Sequence, residues 1–533
     1  MGHDQHPAGP SSGKKPRPAG NDVGLKRITS KFSSLTTQHT STPKTGSGSK
    51  QATSKAKTTF PGAINPALND LQKFIGEVIQ TECCSCQKPL MHDFKVSRWF
   101  QDWIDKNSSG HAFSICSAKC SSKKCGAMTC VGCGKKPRME KFTSTCHGLH
   151  LDWCCESGRL FAFWVALCKY DEMELQLQME SAVKLAAHAA KGPSTSTGIG
   201  YGTTAIGTWG ALTMSPQDYY GASIGGGWSG GRIARGPRFN HTLNFQQADD
   251  KTDPVINTIL SLIIELLPVD ERSKIQAPKA LRAMIQLSLL SDKVADLLRN
   301  DSLRNVSQRS EVYYSVLEFV HRLGKRSETM YLVCDQRFLK KQSNGLQVLS
   351  AKESFADSSE EDQPLVMSNS KDDKVSSVVD CMAKLAIQAK QFSETANAYR
   401  RTKEFDTGTG KDMLRMASKI DMVYSSLTPS SLEQQADKGP QDNASAWDAY
   451  HEKHRIDQDS SISNHLCSKI AQQAQSINFS LPGRMRRLVS EQAEMTTGLP
   501  QYIFVKAHDS LPHIMKCLMV GPEGTPYEDG LFE

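Results

Sequence analysis

Twelve of the sixteen cysteines fall between Cys83 and Cys168. Thiolates in that density do one of two things: they cross-link, or they bind metal. The N-terminus, Met1-Gly-His-Asp-Gln-His, has no apolar segment of the kind that directs secretion. Metal is therefore the expected chemistry. The spacing agrees. Cys83-Cys84-Ser-Cys86 is one Cys-x-x-Cys knuckle, in which Cys84 could replace Cys83, and Cys130-Val-Gly-Cys133 is a second, followed by Gly134. Such a spacing sets two thiolates one tetrahedral edge apart around Zn²⁺. Each knuckle needs two further ligands. Cys116, Cys120 and Cys125 lie between the knuckles, and Cys146, His147, His150, Cys154 and Cys155 follow them. Two Zn²⁺ ions are expected, and their binding would supply folding free energy to a stretch poor in apolar residues. Isolated cysteines such as Cys168, Cys334, Cys381 and Cys467 read as buried thiols.

The elements that must hold these residues follow from periodicity. Asp152-Trp153 and Phe161-Ala-Phe-Trp164 are expected to pack on the zinc core and begin a helix that runs to about Ala189. Residues 192–236 hold 13 of the 38 glycines and read as a linker. Ile256, Ile259, Leu260, Ile263 and Leu266 mark one face of a helix ended by Pro268. A second helix is expected over 279–299, with Ser291 as a plausible N-cap within it, and a third over Glu311–Leu323. Longer helices are expected over 374–402, 410–427 and 445–478.

Charge is segregated. Residues 1–66 carry ten Lys/Arg against two Asp/Glu, and the other 467 residues balance. With its Ser, Thr, Gly and Pro content this arm reads as disordered, with Gly13-Lys-Lys-Pro-Arg-Pro18 as an import-like signal. No run of 18 apolar residues exists, so no membrane span is expected and the location reads as cytoplasmic and/or nuclear. Nucleic acid ranks last among partners, because no folded region interleaves aromatic and basic residues.

The last fifty residues carry a further motif. Arg484-Met-Arg-Arg-Leu-Val opens an amphipathic helix stopped by Gly498-Leu-Pro500, Ile503-Phe-Val505 reads as a strand, and Ile514–Val520 reads as its hairpin partner. Gly521-Pro-Glu-Gly-Thr-Pro-Tyr-Glu-Asp-Gly530 is a compact turn into Leu531-Phe532. This segment resembles the opening of a ubiquitin-conjugating (UBC) domain, nearest the apollon-like branch. The resemblance implies transthiolation, with ubiquitin, ubiquitin-activating enzyme and protein substrates as partners, and it assigns Arg484, Arg486 and Arg487 to docking of the activating enzyme. Catalytic cysteine and His-Pro-Asn motif are absent from residues 1–533, so no catalytic residue is assigned and a truncated UBC core is expected. Cys517 reads as a small buried packing thiol.

Cys125-Gly-Ala-Met-Thr-Cys130-Val-Gly-Cys133 is similar to part of the in-between-RING zinc domains of ubiquitin ligases. That likeness implies one ion held by Cys83, Cys86, Cys120 and Cys125. The other would take Cys130, Cys133, a choice among Cys146, His147 and His150, and Cys154 or Cys155. Cys146, His150 and Cys154 are the residues expected there.

The fold expected is multidomain and mainly α, with a zinc-bound Cys-rich module and a C-terminal partial α+β UBC fold of one helix plus antiparallel strands. Its segments are a basic arm (1–66), the Cys-rich module with its helix (67–190), a linker (191–250), a helical bundle (251–345), an acidic polar linker (346–373), a helical region (374–480) and the N-terminal part of a UBC core (481–533). The functional expectation is a protein of the ubiquitin-conjugating type. The alternative is a non-catalytic zinc-bearing scaffold or adaptor in ubiquitin signalling.

Overall fold

The computed structural model describes residues 66–91, 94–108, 114–138, 143–190, 241–267, 278–338, 340, 343–351, 374–399, 404–428, 443–459, 469, 483–508, 513–521 and 524–532. The expected basic arm lies outside them but for Pro66, as do most of the Gly-rich linker and the expected acidic linker from residue 352 on; the start of that acidic linker, Leu346–Ser350, is a short helix instead. Two compact units are present, Met1–Leu175 with Thr252–Glu533, and Gln176–Lys251. The architecture is mainly helical, with two tetracysteine clusters in the N-terminal region and a small mixed sheet at the C-terminus. Among the described residues, no helix is long and apolar enough to cross a membrane.

Helices α1 (Pro66–Ile79) and α2 (Val96–Ser108) flank the first cysteine knuckle. Two short hairpins follow, β1 (Ser117–Lys119) with β2 (Met128–Cys130), and β3 (Thr143–Cys146) with β4 (Leu149–Asp152). The long helix α3 (Glu156–Ala190) starts directly after Cys154-Cys155. After a polar first turn, Leu160 to Cys168 are apolar and all buried, which is the pattern of a central core helix. Phe161 and Trp164 meet Phe94 and Trp99 in one aromatic cluster. Trp99 Nε1 then donates to Ile115 O at 2.9 Å, so the cluster joins α2, α3 and the entry to β1.

The helical body comprises α4 (His241–Leu266), α5 (Lys279–Leu287), α6 (Leu290–Leu298), α7 (Leu303–Gln308), α8 (Ser310–Gly324), α9 (Ser327–Cys334), α10 (Leu346–Ser350), α11 (Val378–Ala398) and α12 (Gly408–Leu427), with the two-residue strands β5 (Arg337–Phe338) and β6 (Lys374–Val375) paired antiparallel beside it. Helix α4 begins inside the stretch read as linker and carries Pro254 within it. The helix expected over 279–299 is broken at Ser288-Leu289, and Ser291 is not its N-cap. Ser291 sits inside α6 and donates to Ile285 O, while Ser288 Oγ accepts from Leu290 N. The cause of the break is Asp171 of α3. Its buried carboxylate accepts from Ser288 Oγ (2.7 Å) and Leu289 N (3.0 Å), and also from Leu346 N (2.9 Å) at the start of α10. Helices from either side of the acidic stretch pack on one another, α8 on α12 and α6 on α11.

Of the helix expected over 445–478, α13 (Asn443–His454) is present and gives way to β7 (Ile456–Asp459), and the part beyond 459 lies outside the described residues but for Lys469. Helix α14 (Arg484–Gly498) leads to β8 (Ile503–His508), β9 (Met515–Val520) and β10 (Leu531–Phe532). The sheet order is β10-β9-β8-β7. β8 and β9 pair antiparallel with Val505 opposite Cys517, and β9 and β10 pair antiparallel, but β7 lies parallel to β8 with Ile456 opposite Val505. The sheet is thus mixed, not purely antiparallel. Gly521 N donates to Gly530 O at 2.8 Å and closes the Gly/Pro-rich turn. Cys517 is exposed, as are its neighbours Leu518 and Met519. Contrary to the packing role expected, no described element covers that stretch of β9.

Candidate metal centres

The two cysteine knuckles fold alike. In the first, Cys83 N donates to Lys88 O (2.9 Å) and Gln87 N donates to Cys83 O (3.0 Å). In the second, Cys130 N donates to Lys135 O (2.9 Å) and Gly134 N donates to Cys130 O (2.9 Å). Each loop needs a left-handed residue four places after its first cysteine, Gln87 at φ 56° and Gly134 at φ 66°. Glycine meets that need without strain. The knuckles also hold each other: Thr81 Oγ1 donates to Val131 O (2.8 Å), and Cys84 N donates to Thr129 Oγ1 (3.1 Å).

The β1–β2 hairpin joins the two sites. Cys120 and Cys125 sit in its loop and face the first knuckle, and β2 runs straight into the second. The first group is Cys83, Cys86, Cys120 and Cys125. The second is Cys130, Cys133, Cys154 and Cys155. Within each, all sulfurs lie within 4.8 Å of one another. Cys83–Cys125, Cys86–Cys120, Cys130–Cys155 and Cys133–Cys154 stand 3.6, 3.5, 3.7 and 3.7 Å apart. A disulfide needs about 2.05 Å. A tetrahedron with metal–sulfur bonds of about 2.3 Å has an edge of about 3.8 Å. Both groups therefore have the donor set and size for a tetrahedral ion such as Zn²⁺.

Electrostatics point the same way. Amide donors from Cys86 and Ser85 pull the Cys83 thiol down to about 6. Cys86 stands at about 12, held there against the Lys88 amide by the Cys120 thiol and by burial. Cys155 is lowered to about 5 by its bond with Cys130 and, against burial, by the Gly158 amide, which donates to its sulfur at 3.2 Å. That amide belongs to the first turn of α3, so the positive end of the helix faces the second cluster. In the first group Cys83 ionises easily while Cys86 resists, and in the second Cys155 ionises easily while Cys130 and Cys154 resist; a divalent cation removes that resistance.

The other expected ligands lie elsewhere. Cys146 and His150 belong to the β3–β4 hairpin, closed by His147 (φ 49°) and Gly148 (φ 78°) with Cys146 opposite Leu149. Two successive left-handed residues make the tight turn that suits a twisted hairpin. Cys146 is buried, and its thiol is raised to about 12 by burial and by Glu265. His150 is half-buried, and its N–H donates to Asn107 Oδ1. Neither belongs to either group. Cys84 is exposed, and Cys116 is buried with its thiol donating to Gly158 O at 3.0 Å. Sequence reasoning offered Cys154 or Cys155, whereas the structure brings both to the second group. It missed Gly132 and Gly158, whose backbones touch beside that group; the small residue inside the Cys130-Val-Gly-Cys133 knuckle was the available signal.

The three arginines expected to dock the activating enzyme stand at the start of α14. Arg484 and Arg487 are exposed, and Arg487 Nε pairs with Glu491 at 2.7 Å. Arg486 is half-buried, and its backbone N–H donates to Glu404 at 3.0 Å.

Comparisons with protein-family models, with curated proteins and with solved structures give no match to this chain.

Proposed function

We propose that the chain is a zinc-stapled helical scaffold of the ubiquitin-conjugating type, acting in the transfer of ubiquitin to proteins. One observation carries the reading: α14, β8, β9, the turn closed by Gly521 and Gly530, and β10 follow in the order of the UBC opening, with β8, β9 and β10 in an antiparallel meander. The parallel strand β7 is an addition at the far edge.

On this reading α14 presents Arg484 and Arg487 to an acidic surface of the activating enzyme, while Arg486 anchors the helix start through its amide. Transthiolation would need a thiolate attacking the ubiquitin thioester and an oxyanion donor beside it. Cys517 does not meet that need: it lies in mid-strand on β9, opposite Val505, with no adjacent donor loop. Residues 1–533 should therefore form no reductant-sensitive ubiquitin thioester with activating enzyme, ubiquitin and ATP. The reading is tested by titrating activating enzyme against the chain. Binding that weakens about tenfold in Arg484→Ala/Arg487→Ala is expected, since each exposed charge contributes up to about 1 kcal/mol. No binding by the wild-type chain would sink it.

A second reading is a non-catalytic adaptor in the same pathway. It is favoured by the four protein ligands in each cluster, which leave no open position for chemistry on a bound ion. The Zn²⁺ would then act on structure alone: Cys83, Cys86, Cys120 and Cys125 would hold one ion, and Cys130, Cys133, Cys154 and Cys155 the other.

A further inference from the structure

Residues 114–138, which form the β1–β2 hairpin and the second knuckle, contain six cationic side chains and no Asp or Glu. Lys119, Lys123 and Lys124 surround the hairpin loop, and Lys135, Lys136 and Arg138 follow the second knuckle. All six are exposed, and none forms an ion pair with a described residue. Elsewhere the body pairs its cations readily, as in Arg309–Asp253 and Lys419–Glu318. Residues 114–138 thus concentrate positive charge, without an acidic residue among them, on the zinc module.

Part of this charge would balance the metal centres. A divalent ion with four thiolates carries a net charge of about −2, so two such centres leave the cations in excess. The two basic groups sit at opposite ends of β2, whose three residues span about 10 Å. An extended polypeptide covers the same span in about three residues. Carboxylates spaced that way along an extended partner would meet both groups at once. Residues 114–138 hold no aromatic side chain, so this segment offers no platform of its own for stacking bases, and five of the six cations are lysines, which lack the planar fork that grips phosphate in two places.

We propose that the β1–β2 hairpin and second knuckle form a docking surface for an extended, carboxylate-rich segment of a partner protein. This surface is independent of the ubiquitin-transfer reading. Long-range attraction would speed encounter, and the fixed spacing of the two cationic groups would set register.

The test is fluorescence anisotropy of a labelled glutamate-rich peptide against the full zinc-loaded chain. Three forms are compared: wild type, Lys123→Gln/Lys124→Gln/Lys135→Gln/Lys136→Gln, and an arm variant Lys14→Gln/Lys15→Gln/Arg17→Gln. Zinc content is measured for each. Expected is salt-sensitive binding that weakens about tenfold in the fourfold variant at unchanged zinc content, with little change in the arm variant. Three results would overturn the proposal. Peptide binding that follows the arm variant places the site elsewhere. A nucleic acid of matched charge that binds more tightly, and is lost in the fourfold variant, makes the surface a nucleic-acid interface. Zinc loss in the fourfold variant with peptide binding unchanged assigns the cations to the metal centres.

Discussion

Gly132 and Gly158 meet so closely that a Cβ on Gly132 would stand 2.1 Å from the Gly158 amide nitrogen and 2.6 Å from the Ser157 carbonyl carbon. Backbone cannot yield there without moving the second knuckle off the first turn of α3. Gly132→Ala is expected to lower the zinc stoichiometry from two to one, read by native mass spectrometry, and to cost about 1–3 kcal/mol in chemical denaturation. Ligand identity can be tested by the same count. Cys155→Ser should also lose one ion, whereas Cys146→Ser and His150→Ala should retain two; retention of both ions by Cys155→Ser would refute the second centre as drawn. The contrast shows how far spacing can be read. The first cluster was legible because two knuckle residues and two hairpin-loop residues offered few combinations. For the second, Cys146-His147-Gly148-Leu149 looked like a ligand cluster. Its His-Gly pair is a hairpin turn instead, and the pairing of Cys146 with Leu149 commits that cysteine to the hairpin.

Elements that rest on their own residues were legible, and elements set by distant partners were not. The ends of α14, β8 and β9 follow from Gly498-Leu-Pro500 and from a local hairpin. β7 has one apolar residue in four and owes its form to ladder bonds from β8, across nearly fifty intervening residues. The break between α5 and α6 comes from Asp171, more than a hundred residues away. This carboxylate ties three elements and is fully buried, and burial lifts it to about 6. A carboxyl raised in the folded state binds its proton more readily there than in the unfolded chain. Its contribution to stability is therefore present at low pH and is lost as pH rises from about 4 through about 6. The urea midpoint of wild type should fall across that window, and Asp171→Asn should flatten the slope. Asn keeps one carbonyl for Ser288 and Leu289 but sets an NH₂ against the Leu346 N–H, so it should also cost about 1–3 kcal/mol at pH 5. An unchanged slope would show that Asp171 does not titrate there. Turn chemistry was legible at Gly521, where a Cβ would lie 1.6 Å from Tyr527 O. Gly521→Ala should open the turn, and hydrogen exchange at Met519 and Val520 should accelerate.

At the scale of the whole molecule, the second metal centre is joined to the helical body through α3. Cys155 is capped by the first turn of that helix, and the next turns bury Phe161, Phe163, Trp164 and Tyr170 among the core helices. Arg159, one turn after Cys155, lies 4.7 Å over the Trp153 ring and donates to Glu265 O, Leu266 O and Leu267 O at the end of α4. Those three carbonyls are ones that the helix end leaves without partners. Removing the ions would free Cys154 and Cys155, loosen the start of α3, and withdraw Arg159 from α4. Chelation should thus lower the stability of the helical body as well as that of the cysteine module. The expected result is a single thermal transition in far-ultraviolet circular dichroism that moves down by on the order of 10 °C with a zinc chelator and returns on adding Zn²⁺. Two transitions, with only the minor one sensitive to chelator, would mean that the module folds apart from the body. Cys155→Ser should reproduce most of the shift and Cys83→Ser less of it. The first cluster reaches the body through α1, which packs on α5 and α10, whereas the second caps the helix at its core.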